Sequence, residues 1–222
     1  MKSQVRGGTR WKRFAVVMVP SVAATAAIGV GLAQGALAAS FSISGQEFKV
    51  HADKLEGTDF VQYGSVDPGK DLEGKDFAAP VAVSGFSTAK ITNMCQSVVT
   101  PKVPFINDSV TLRLTAGTKA AQSGRDEDKV QASGIYLDVS DLKTDAEFTN
   151  LDLGVAAGAL AKAPGKPGIQ PNTKANPYGF GQRADVATLS NVEQKAWATT
   201  AATFKLPGLH LSLHKGTDAE CF

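Results

Sequence analysis

Three histidines, two cysteines and a handful of serines carry most of the reactive chemistry open to this 222-residue chain. The segment Gly85-Phe86-Ser87-Thr88-Ala89 has the pattern G-x-S-x-A. A serine in that pattern becomes a nucleophile when a sharp strand-to-helix turn exposes its hydroxyl and an imidazole takes its proton. His210 and His214 follow Ser87 in chain order, as such an elbow requires, so either is a candidate base. The residues after the pattern, Lys90-Ile91-Thr92-Asn93, read as strand and not as helix. The competing reading is a serine on the polar face of a strand. His210 and His214 lie four apart, which on a strand separates them by roughly 13 Å. They cannot share a metal there, and no Cys or His pair has zinc spacing. The run Asp138, Asp141, Asp145 and Glu147 lacks the oxygen density and glycine turn of a calcium loop and reads as a solvated edge. With no phosphate-cradling glycine motif and no HExxH, the sequence predicts no metal and no cofactor.

The cysteines say more. Cys95 is mid-chain and Cys221 is next to last. An even count in an exported chain predicts one disulfide, with two buried thiols as the alternative. Export itself is read from the N-terminus. Five bases and no acid fall within residues 1–38, ahead of and leading into the apolar run 14–39. Bases before such a run hold the N-terminus on the cytoplasmic side. Ala36-Leu37-Ala38 fits a signal-peptidase site, with Ala39 as the new first residue. Residues 1–38 are therefore a signal peptide or, if uncleaved, an N-terminal anchor that meets the membrane through residues 14–39. The remainder keeps 18 bases against 21 acids. A body of that sign predicts no nucleic-acid partner.

The elements that would position these residues are strands. After residue 40 the apolar period is two: Phe48 and Val50, then Val110, Leu112 and Leu114, then Ile135, Leu137 and Val139, then Leu209, Leu211 and Leu213. One wet and one dry face predicts antiparallel pairing. Two phrases recur. Small-residue turns lead into strands at Val83-Ser84-Gly85, Ala132-Ser133-Gly134 and Leu206-Pro207-Gly208. A second phrase, Ala-x-φ-Thr/Ser-Asn-φ, occurs at residues 89–94, 146–151 and 187–192. An asparagine at a fixed place in a strand phrase suggests a turn or a stacked side-chain ladder. The expected fold is all-β, a layered antiparallel sandwich or β-roll behind an N-terminal hydrophobic helix. Residues 39–222 form a single domain.

One segment, residues 156–183, is rich in Gly and Pro and basic, with Lys162, Lys166, Lys174 and Arg183 and no acid between Asp152 and Asp185. A loop of that length is often functional. It suits an anionic surface such as lipid headgroups or an envelope polymer, and the alternative is a solvated connector. A second polar insertion, residues 119–129, reads as a hairpin tip.

Trp11-Lys-Arg-Phe14, Gly35-Ala-Leu-Ala-Ala-Ser-Phe41, Asn93-Met-Cys-Gln-Ser-Val98, Phe148-Thr-Asn-Leu151, Lys195-Ala-Trp-Ala198, Phe204-Lys-Leu-Pro-Gly-Leu209 and the terminal Glu220-Cys-Phe222 resemble a family of exported actinobacterial proteins of unknown function. The resemblance spans essentially the whole chain and implies an envelope or secreted protein of filamentous bacteria. Some relatives carry a cholesterol-esterase label, which implies ester hydrolysis. The sequence thus supports three expectations: a non-enzymatic envelope protein that binds lipid or serves structure, a secreted ester hydrolase using Ser87, or an adhesion module pairing through a sheet edge. It leaves the oligomeric state open.

Overall fold

The computed structural model describes residues 42–103, 107–171 and 173–222. The leader, with Ala36, Ala38 and Ala39 at its expected cleavage site, lies outside the described residues.

The described chain is all-β. Its strands are β1 (Ile43–Ser44), β2 (Phe48–Lys70), β3 (Asp76–Thr92), β4 (Met94–Val103), β5 (Asp108–Ala116), β6 (Val130–Thr149), β7 (Asp152–Ala156), β8 (Phe180–Thr200), β9 (Thr203–Lys205) and β10 (His210–Lys215). Two long hairpins organise them. In the first, β2 turns at Asp71 and runs back against β3 and β4 in one unbroken register, from Lys70↔Asp76 to Lys49↔Ser97. The Asp71 carboxylate accepts the backbone N–H groups of Glu73 and Lys75, which closes the turn. In the second, β6 and β7 run against β8 and β9, from Gln131↔Lys205 to Ala156↔Phe180. The hairpins join along both edges, through β2–β8 and β3–β6, so four strands close into a ring. All these pairings are antiparallel; β1 adds to β2 in parallel. Beyond the ring the sheet continues through β4, β5 and β10.

Closure demands strong curling, and the sequence supplies it with left-handed corners. A straight 23-residue strand would span roughly 75 Å. Yet Ile43 pairs with Gly69, and the steps from Ile43 to Phe48 reach at most about 18 Å. β2 must therefore coil back on itself. Its inward residues are Ala52, Leu55, Gly57 and Phe60; those of β3 and β4 are Phe86, Ala89, Ile91 and Met94; those of β8 are Ala184, Ala187, Leu189 and Val192; those of β6 are Val130, Ala132, Ile135 and Leu137. A regular strand returns to one face every second residue, so each step of three marks a corner at which paired strands change phase together, their register running through it unbroken. Left-handed backbone marks one such step in each run: Asp59, Asn93, Asn191 and Gly134, with φ between 52° and 54°. Corners shared by paired strands turn the sheet as one, which is how four strands can close.

The recurring asparagine phrase is this device. Asn and Gly tolerate the left-handed region better than other residues. Each asparagine also ties the neighbouring strand: Asn93 Nδ2 donates to the Asp53 carboxylate at 3.1 Å, Asn191 Nδ2 to Asp145 at 2.9 Å, and Asn150 Nδ2 to Asp185 at 2.7 Å.

Two cores flank the sheet. Phe60, Phe86, Ile135 and Leu137 belong to the one inside the ring; Val61, Tyr63, Val83 and Tyr136 belong to the other. Sequence neighbours such as Phe60 and Val61 enter different cores, so the cores lie on opposite faces. The Gly/Pro-rich segment is the loop of the second hairpin. It is no loose connector, because Ala157, Leu160, Ile169 and Ala175 pack into the outer core. The expected layers are thus two faces of one closed sheet, the strands being far longer than the short alternating runs suggest. Residues 119–129 are no hairpin tip. They hold a one-turn helix, Ala120–Ser123, and a 3-10 turn, Asp126–Asp128, joining strands that do not pair with each other.

Candidate functional site

The ring is not filled along its whole length. Toward β4 it holds a cavity of about 380 Å³. Phe48, Val50, Ala52 and Leu55 of β2, Ile91 and Met94, Ile135 and Leu137 of β6, and Val192 of β8 form its wall. Phe204 stands at its rim, 40% exposed. The polar lining is neutral: Gln96, Gln194 and Thr199. The volume lies within the range of small-molecule sites. It is more than twice the ~150 Å³ of an engineered apolar cavity that stays dry and takes up benzene. With amides and a hydroxyl as its polar groups, the cavity suits a mainly apolar guest and offers no lining group to neutralise a charge.

The disulfide braces this wall. Cys95 and Cys221 are joined, with Cα atoms 5.8 Å apart. Cys95 lies between the cavity-lining Met94 and Gln96, so its side chain leaves β4 on the other face. The Cys221 backbone N–H donates to Ser97 Oγ at 3.1 Å, and Lys49 holds both the Glu220 carboxylate and the Phe222 carbonyl. The C-terminus is thereby laid along the outside of the cavity wall.

On the opposite face, under the loop of the second hairpin, lies a buried polar patch. Asp67 and Asp138 are 9% and 6% exposed, close enough for a carboxyl–carboxylate hydrogen bond. Burial first, then the Asp67 charge, pushes Asp138 up to about 7. Burial raises Asp67 as well. Asp138 is therefore not on the solvated edge expected of it. The backbone N–H of Gln170 donates to the Tyr63 hydroxyl at 2.9 Å, and that of Gly168 to the Tyr136 hydroxyl at 3.4 Å, so two phenols hold the loop down. Burial raises both phenols.

Ser87 sits mid-strand in β3, opposite the left-handed Asp59. Lys166 pairs with Asp59 and holds that carboxyl below its ordinary range, with the Ser87 hydroxyl adding to the effect. His210 and His214 lie on β10, across β5 from β4. His210 is opposite Thr115, which is opposite Cys95, on β4 beyond the Asn93 corner that ends the strand of Ser87. Ser212 Oγ and His214 Nε2 hydrogen-bond each other at 2.8 Å. The fold does not bring Ser87 to either imidazole, and no sharp turn to a helix follows it.

Three of the four basic residues are ion-paired with acids at the surface. Lys162 pairs with Asp185, Lys166 with Asp59 and Arg183 with Asp152, while Lys174 is exposed. Sequence reading missed both the cavity and the acid pair. Alternation put Phe48 and Val50 on an inward face, but no pattern reports a void. Tyr63-Gly-Ser65-Val-Asp67 did carry a signal, since Asp67 is in phase with the buried Tyr63.

Fold and site define an all-β protein whose single sheet closes around an apolar cavity. The chain belongs to a family of unknown function (DUF6230), whose profile matches residues 44–222. No curated protein and no solved structure matches it.

Proposed function

We propose that the protein is an exported, non-enzymatic envelope protein that holds a mainly apolar lipid in the ring cavity. The observation that carries this is a wall of aliphatic and aromatic side chains around about 380 Å³, interrupted only by neutral amides and a hydroxyl. The basic leader ahead of an apolar run, ending in Ala-Leu-Ala, supports export. The Cys95–Cys221 disulfide suits an oxidising compartment. The resemblance noted above adds an envelope role in filamentous actinobacteria. Ester hydrolysis finds no support in the surroundings of Ser87, whose neighbours are a carboxylate and a lysine.

The test is uptake of N-phenyl-1-naphthylamine, a neutral probe that fluoresces when it leaves water. The expected result is saturable binding near one probe per chain, competed by long-chain lipids and lost in Val192→Phe, which fills the cavity. Probe binding that survives Val192→Phe, or no binding at all, would contradict the proposal.

A further inference from the structure

The wall of the cavity does not end where the ring ends. In antiparallel pairing, residues directly opposite each other share a face. Val50 lines the cavity and is opposite Gln96; Gln96 is opposite Leu114; Leu114 is opposite Leu211. One row further along β4, Val98 is opposite Leu112, which is opposite Leu213. The inner face of the ring thus runs without interruption onto β4, β5 and β10. The apolar surface then emerges into the open: Leu209, Leu211 and Leu213 are 50%, 55% and 68% exposed.

The same strip carries a charge pattern. No charged side chain occupies the face from Gln96 and Val98 through Leu112 and Leu114 to Leu211 and Leu213. Exposed Lys205 and Lys215 bracket the leucines in sequence, Lys215 keeping only a 3.6 Å contact with Asp108. Three solvent-facing leucines at one edge of a sheet, with a lysine before and after them in sequence, match the boundary of an anionic bilayer. There apolar side chains enter the acyl region while ammonium groups stay with the headgroups. Among the described residues the outer edge of β10 has no strand partner in the sheet. Its free backbone groups need water or headgroups, so the strand lies in the interface and not in the hydrocarbon.

We propose that the leucine face of β10 docks on an anionic lipid bilayer, and that β4, β5 and β10 form the apolar ramp along which a lipid passes between bilayer and cavity. The ramp rests on the lipid-binding reading of the cavity; the docking surface does not. Lipid transfer then needs no covalent step.

The experiment compares the intact protein with a Leu209→Ser, Leu211→Ser, Leu213→Ser variant. These side chains are already half or more exposed, so the variant keeps its core. Binding is measured by flotation with vesicles of phosphatidylglycerol and phosphatidylcholine, beside vesicles of phosphatidylcholine alone, and N-phenyl-1-naphthylamine uptake is followed in parallel. The expected result is binding to the anionic vesicles, weakened at least roughly tenfold in the variant and by salt, with probe uptake unchanged. Vesicle binding that the variant retains, or no vesicle binding beside normal probe uptake, overturns docking and leaves the cavity reading intact. Leucine-dependent vesicle binding without probe uptake keeps docking and removes the ramp. A dimer that the variant dissolves would assign the face to a second copy of the chain and overturn the proposal.

Discussion

The two faces of the ring solve opposite problems with the same strands. Inside, Phe60, Phe86 and Ile135 pack tightly at one end, and the core then opens into a cavity that no residue of the described chain fills. Outside, Val61, Val83 and Tyr136 are sealed by a loop, although that face carries an acid pair that would sit more cheaply in water. Burying a carboxyl costs several kcal/mol unless it is partnered or neutral. A face that accepts this cost is fixed by structure. A face that leaves apolar side chains unfilled is open to a guest.

The largest effect tests what braces the open face. The disulfide closes a separation of 126 residues, worth on the order of 4–5 kcal/mol in the chain-entropy model. Reduction, or Cys95→Ser with Cys221→Ser, should lower the melting temperature by several degrees and release the C-terminal residues to protease first. Calorimetry with limited proteolysis reads both.

Next comes the sealed face. Asp138 is held above its ordinary range, to about 7, so the folded chain keeps a proton that the unfolded chain gives up near pH 4. Stability should therefore fall as pH rises from about 4 to about 7 and level off above, by a total on the order of 4 kcal/mol. Asp138→Asn should flatten that slope and be the more stable form at pH 8. Denaturant titrations across the pH range measure it; an equal slope in the variant would remove the shared proton from the account.

The smallest effect is the most direct contrast of the two faces. Val83→Phe in the sealed core should cost about 1–3 kcal/mol through overpacking. Val192→Phe, facing the cavity, should cost under about 1 kcal/mol, because the void accepts the ring. Equal costs would mean that the cavity is closed by ordinary packing.

Much of the fold was legible. Alternation at Phe48, Val110 and Leu209 announced strands, and the recurring asparagine announced something regular between them. What alternation concealed was continuity. At Asn93 and Asn191 the inward phase slips by one residue, so a single long strand reads as two short ones of opposite phase. Sandwich layers were the natural inference, while the backbone pairing runs straight through each corner. The Cys95–Cys221 link was legible because an even cysteine count behind an export-like leader pointed to one bond. Ser87 misled because a local pattern cannot report that its neighbours across the strands are Asp59 and Gly134, with no imidazole. The cavity had no sequence signal, being set by how tightly four strands can curl.

The central claim is that the ring carries an apolar guest, and native mass spectrometry of the protein purified from an exporting host addresses it directly. The account predicts a disulfide-bonded chain with a discrete mass excess that is removed by organic extraction and absent from Val192→Phe. A bare polypeptide mass that stays unchanged after incubation with lipid vesicles would contradict it.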